Sequence, residues 1–131
     1  MTLAQPALFG RDLALVGYSS ERTGTAGDAL DVTLFWRATN TPDDDYHISV
    51  QLLDAGGNLR RQHDGMPYEG RYPTSRWEVG EVVPDRHRLS LEGHAGGAYR
   101  LVVVVYRPAD GARLAVTPGG GAHLELAELP L

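Results

Sequence analysis

Apolar residues recur at every second position in one short segment after another, and that repeat leaves few folds open to the chain. From Asp31 to Thr39, Val32, Leu34, Trp36 and Ala38 fall on one side, with Asp31, Thr33 and Arg37 on the other. Tyr46 to Asp54 sets Tyr46, Ile48, Val50 and Leu52 against His47, Ser49 and Gln51 in the same way. Arg86 to Glu92 opposes His87, Leu89 and Leu91 to Arg88, Ser90 and Glu92. Side chains of a strand point to alternate faces, so this repeat predicts strands with one face on a core and the other in water. Phe35 falls on the nominally wet face, which predicts that this face is partly covered too.

The remaining segments fit the same scheme. Leu13 to Ser19 reads as the first strand, preceded by a loosely ordered lead-in over residues 1–12 that contains Pro6. Ser20 to Asp28 and the acidic stretch Asn40 to Asp45 read as loops, because their small polar residues cannot repay ordering. Ala55-Gly56-Gly57-Asn58 tolerates positive φ and predicts a hairpin that returns along Leu59 to Asp64. Ala98 to Arg107 is apolar on both faces, which predicts a central strand. Pro108-Ala109-Asp110-Gly111 then predicts a turn with Ala112 to Thr117 running back, and His123 to Leu129 closes the series. About eight strands, closely spaced and without a helix, predict an antiparallel two-sheet β-sandwich, immunoglobulin-like or jelly-roll-like. At 131 residues the chain fits one domain, residues 1–131.

One stretch escapes the scheme. Gln62 to Asp85 holds three prolines, seven charged residues and Tyr68, Tyr72 and Trp77, without strand or helix periodicity at its centre. A loop of that length and aromatic content is either strapped onto a sheet or displayed for recognition. Aromatic faces can stack on sugar rings while carboxylates and guanidinium groups bond the hydroxyls. Tyr68, Tyr72, Trp77, Asp64, Glu69, Arg71 and Arg76 therefore form the candidate ligand-binding set. The competing reading is that Trp77 and Tyr72 pin the loop, each burying apolar area worth roughly 2–3 kcal/mol.

Composition narrows the chemistry. Without cysteine there is no disulfide and no thiolate site, so packing alone must hold the core. A net charge of −5, with 12 arginines dispersed among 17 acidic residues, argues against a nucleic-acid partner, which needs a dense cationic patch. No apolar run reaches the roughly 20 residues that span a bilayer, so direct membrane insertion is not expected, and no targeting signal is recognisable. The five histidines show no close ligand spacing, and no metal or other cofactor is expected. Asp43, Asp44 and Asp45 read as a solvated loop, with a calcium site as the alternative. No nucleophile elbow or phosphate loop is present, and no catalytic residue is assigned.

Four segments carry a resemblance: Phe9-Gly10 with Leu13, Leu15 and Gly17-Tyr18; Gly27-Asp28 leading into Leu34-Phe35-Trp36-Arg37-Ala38; Leu52-Leu53-Asp54 with Gly57; and Gln62, Asp64, Pro67, Gly70, Tyr72-Pro73-Thr74-Ser75, Trp77, Gly80-Glu81 and Asp85. Gly97-Ala98-Tyr99-Arg100-Leu101, with Tyr106 and Arg113-Leu114, extends it over most of the chain. Together they resemble the C-terminal extracytoplasmic domain of bacterial membrane-bound glycosyltransferase-like proteins, the Tyr-Pro-Thr-Ser-x-Trp-x-x-Gly-Glu piece being the specific part. The resemblance implies a β-sandwich accessory module outside the cytoplasm, attached to a parent membrane protein, and brings no catalytic residues. The expected function is a non-catalytic module that binds glycans or cell-envelope components through residues 62–85. The alternatives are a structural or protein-interaction domain and, third, a small hydrolase with facing carboxylates.

Overall fold

A strand with one apolar face can bury it only against another layer, and here two sheets serve each other. A computed structural model describes residues 2–131. Its strands are β1 (Thr2–Phe9), β2 (Leu13–Thr23), β3 (Ala29–Ala38), β4 (His47–Leu53), β5 (Leu59–Gly65), β6 (Val82–Ser90), β7 (Ala98–Tyr106), β8 (Val116–Thr117) and β9 (Leu124–Pro130). One sheet has the order β6-β3-β2-β1-β8 and the other β5-β4-β7-β9, with every neighbouring pair antiparallel. Helical structure among the described residues is confined to single 3-10 turns at Thr25–Gly27 and Thr74–Arg76. No helix there is long and apolar enough to cross a membrane.

The alternation translates directly into the core. Val32, Leu34, Trp36 and Ala38 of β3 are buried, as are Tyr46, Ile48, Val50 and Leu52 in and just before β4. Phe9 meets the Trp36 ring edge-on, with centroids 5.2 Å apart. Phe35 is half-buried on the outer face, as its position predicts. β7 lies between β4 and β9, and its Val102 and Val104 are buried on the outward side as well. The β4–β5 hairpin turns through Gly57 at φ 83°, where a side chain would be strained, and Asp54 Oδ1 accepts the N–H groups of Gly56 and Asn58. The Asn58 backbone bond first, with the Arg60 and Asn58 side chains, holds the Asp54 carboxyl down at about 2.

Three expectations are corrected. The expected loose lead-in is ordered from residue 2 on, Met1 lying outside the described residues: Thr2–Phe9 is strand β1, pairing with β2 and, at its end, with β8. Pro6 is accommodated because the β1–β2 register shifts between Thr2 and Ala7, and a residue without an N–H costs little where the ladder is already interrupted. The polar segment after Ser19 is not all loop, since β2 continues to Thr23 with its backbone paired to β3. Thr23 Oγ1 adds a 2.8 Å bond to Asp31. Residues 112–117 begin the expected return beside β7, with a bridge from Tyr106 to Arg113, but Val116–Thr117 then crosses to β1 in the opposite sheet. Nine strands result among the described residues rather than about eight.

Because Phe9 is fully buried against Trp36, Phe9→Ala should destabilise the domain by about 3–5 kcal/mol. Chemical denaturation measures this. A loss under about 1 kcal/mol would place β1 outside the cooperative core.

Candidate functional site

The irregular stretch divides into two parts with different physics. Residues 72–81 form a strap. The Trp77 ring is 1% exposed, its Nε1 donates to the Tyr72 carbonyl at 2.9 Å, and the two rings lie 6.3 Å apart. Tyr72 is half-buried and its hydroxyl donates to Glu81 Oε1 at 2.6 Å, which, as the leading cause, pushes the phenol up to about 12. Thr74, fully buried, donates to the Asp44 carbonyl at 2.6 Å and accepts the Tyr46 N–H at 3.0 Å, tying the strap to the start of β4.

The acidic loop is drawn into the same work. Asp45 accepts the Ser75 N–H, Asp43 accepts the Tyr46 hydroxyl, and Asp44 pairs with Arg107 at 3.2 Å. The three carboxylates thus face different partners. Among the described residues no three imidazole or carboxylate groups converge as a metal centre requires.

Residues 66–71 behave differently. Tyr68, Glu69 and Gly70 all have positive φ, at 58°, 56° and 79°, a run that side-chain-bearing residues adopt only when something holds them. The holder is Asp85 on β6, whose Oδ1 accepts the Tyr68 N–H at 3.1 Å. Its Oδ2 accepts Trp36 Nε1 at 3.3 Å and contacts His87 Nε2 at 2.7 Å. Asp85 and His87 are both buried, and every buried polar side-chain atom among the described residues has a partner.

His87 also reaches across the flank of the sandwich, where its Nδ1 lies 2.9 Å from Nδ1 of His63 on β5. Only one hydrogen fits between those two nitrogens. One ring therefore donates to the other across the flank, while the far nitrogen of His87 stays against Asp85. Burial first, and the His87 ring next, hold the His63 imidazole below its ordinary value of 6.5.

This arrangement pushes Tyr68 outward, 46% exposed, over the outer face of β3 and β6. Tyr68, Glu69 and Arg71 there line an open concavity of about 500 Å³ with Thr33, Phe35, Pro84 and Arg86. A second, of about 840 Å³, continues on the far side of the loop along Asp31, His63, Glu69 and Arg88. Arg88 is paired with Asp31 at 3.5 Å.

Of the seven candidate ligand-binding residues, three therefore meet: Tyr68, Glu69 and Arg71. Tyr72 and Trp77 belong to the strap. Arg76 is exposed in the 3-10 turn, away from the concavity, and Asp64 accepts Ser49 Oγ at 2.7 Å and the Tyr106 hydroxyl at 3.0 Å. Sequence reasoning missed Arg86 and Pro84, on the outward face of β6, and the relay Asp85–His87–His63. The signals were present: Phe35 on a wet face, and His87 in register with Leu89 and Leu91 on a buried one.

Comparison with protein-family models and with curated proteins returns no match for this chain. Fold and site define it as an all-β two-sheet sandwich carrying an open groove under a pinned aromatic loop.

Two outcomes are expected at the flank. Asp85→Ala should cost about 3–5 kcal/mol, because it strands three buried or half-buried donors, and proton exchange at the Tyr68 amide should rise. Since the folded His63 value lies below 6.5, the unfolded chain takes up its proton first. The His63 contribution is therefore complete above about pH 6.5 and is lost as pH falls through the folded value. Denaturation midpoints from pH 7 downward should show this slope and His63→Gln should flatten it; an identical slope in the variant would contradict the assignment.

Proposed function

We propose that this domain is a non-catalytic accessory module that binds saccharide chains, of the kind found in the cell envelope, in the groove beneath Tyr68. The observation that carries the reading is the pinned, half-exposed Tyr68 beside the half-buried Phe35, with Arg71, Arg86 and Glu69 in one concavity. Two flat apolar faces suit the C–H faces of sugar rings, and three charged groups suit their hydroxyls. An open, shallow groove on an outer sheet face favours a chain lying across it over a small molecule enclosed on all sides. A non-catalytic role is favoured because the concavity holds a single carboxylate, Glu69, while Asp31 and Asp64 beside it are already engaged. Asp31 is engaged by Thr23 and Arg88, and Asp64 by Ser49 and Tyr106. The family resemblance supports an extracytoplasmic location and a parent membrane protein.

A second reading, docking of a protein partner, draws on Val79 and Val82, 61% and 48% exposed at the open edge beside β6. Under it, Val79→Ser with Val82→Ser would weaken association and leave saccharide binding unaltered.

Titration of the folded domain against a panel of bacterial envelope oligosaccharides tests the first reading. Tyr68→Ala should weaken binding by about tenfold or more, ~1.4 kcal/mol, without shifting the thermal midpoint, because the ring is not part of the core. Unchanged affinity in Tyr68→Ala, or no binding across the panel, would overturn it.

A further inference from the structure

Six of the twelve arginines of this protein are visibly engaged. Among the described residues Arg60, Arg88, Arg100 and Arg107 form ion pairs, while Arg22 and Arg61 donate to backbone carbonyls. Arg71 and Arg86 appear in none of these contacts, yet the fold brings both to the same concavity, one from the pinned loop and one from the outward face of β6. In a chain of net charge −5, two unpaired guanidinium groups in one groove are a local reversal of sign. Glu69 is the single carboxylate lining the concavity beneath Tyr68, which leaves one positive charge in excess there, while Glu21, Asp31 and Asp64 line the neighbouring one.

From this we infer that the preferred ligand is an acidic saccharide whose sugar residues each carry a single carboxylate, a uronic-acid type of chain. The inference rests on the saccharide reading and sharpens it to a substrate class. A guanidinium presents parallel N–H donors in a plane and matches the two oxygens of a carboxylate, whereas a neutral hydroxyl uses only one of them. One excess positive charge suits a monoanion better than a phosphate monoester, which is close to doubly charged near neutral pH. Phe35 and Tyr68 then take the ring faces while Arg71 and Arg86 take the acid, and Glu69 is left to accept from a hydroxyl. Without the acid, two guanidinium groups would be partly desolvated by a ligand that offers no countercharge, which disfavours neutral chains.

Oligogalacturonate, its fully methyl-esterified form and a sulfated oligosaccharide of equal length serve as probes, titrated against the intact chain by calorimetry. Esterification removes the charge and keeps the sugar backbone. The free acid should bind about tenfold or more tighter than the ester, and the advantage should shrink as salt is raised from 50 to 500 mM, since exposed charges are screened. Arg86→Gln and Arg71→Gln should each weaken binding of the acid more than binding of the ester, so that the preference narrows while the thermal midpoint stays in place. Equal binding of acid and ester, with both lost in Tyr68→Ala, would overturn the acidic class and leave the saccharide reading standing. Tighter binding of the sulfated chain than of the uronate would overturn the carboxylate assignment. Absence of binding to all three, and to the neutral panel, would overturn both inferences together.

Discussion

A single buried carboxylate ties the core, the loop and the flank of this protein to one another. Asp85 sits on the edge strand β6, where its inward side chain would be costly to bury without donors. It finds them in the core through Trp36, in the loop through the Tyr68 N–H, and along its own strand through His87. His87 passes the connection on to His63 across the gap between the sheets. The open flank of a sandwich is where two edge strands come closest without pairing, and here side-chain bonds close it in place of a backbone ladder. Removing Asp85 would therefore loosen core, flank and loop at once, and the geometry of the groove follows from that one group.

The loop next to it shows why aromatic content alone does not mark a binding surface. Trp77, with a large apolar body and one donor, is most stable where both are satisfied, and the strap offers a core and the Tyr72 carbonyl. Tyr72 packs against it and spends its hydroxyl on Glu81. Tyr68 has neither option. Its backbone is turned into the left-handed region and anchored by Asp85, which points the ring away from the core. The same anchor that strains the backbone fixes the ring, so a ligand stacking there has little loop entropy left to remove.

Most of the fold was legible because periodicity reports directly on burial. Where the repeat was clean, as over Val32 to Ala38 and over Ile48 to Leu52, the buried face follows position by position. The failures share a cause: pairing is a backbone property that side-chain patterns do not record. Glu21 and Arg22 look like loop residues, yet their main-chain groups complete a ladder with Asp31 and Leu30. Leu114 and Val116 keep one period while the chain leaves β7 for β1, because alternation states which face is apolar and not which sheet lies opposite. Pro6 argued against a strand only under the assumption of an unbroken ladder.

The site was less legible, and for a different reason. Composition grouped Tyr68, Tyr72 and Trp77 in one candidate set, with pinning by Trp77 and Tyr72 as the competing reading, and what separates them is which ones find partners. The other half of the groove comes from β3 and β6, distant in sequence from the loop: Phe35 and Thr33 on one strand, Pro84 and Arg86 on the other, set side by side by the register that pairs Phe35 with Pro84 and Thr33 with Arg86. The same alternation that sends Asp85 and His87 inward sends Pro84 and Arg86 out. Anchor and groove are thus opposite faces of a single four-residue run on β6, and a change of register there would exchange them, placing a guanidinium in the core and a carboxylate in the groove.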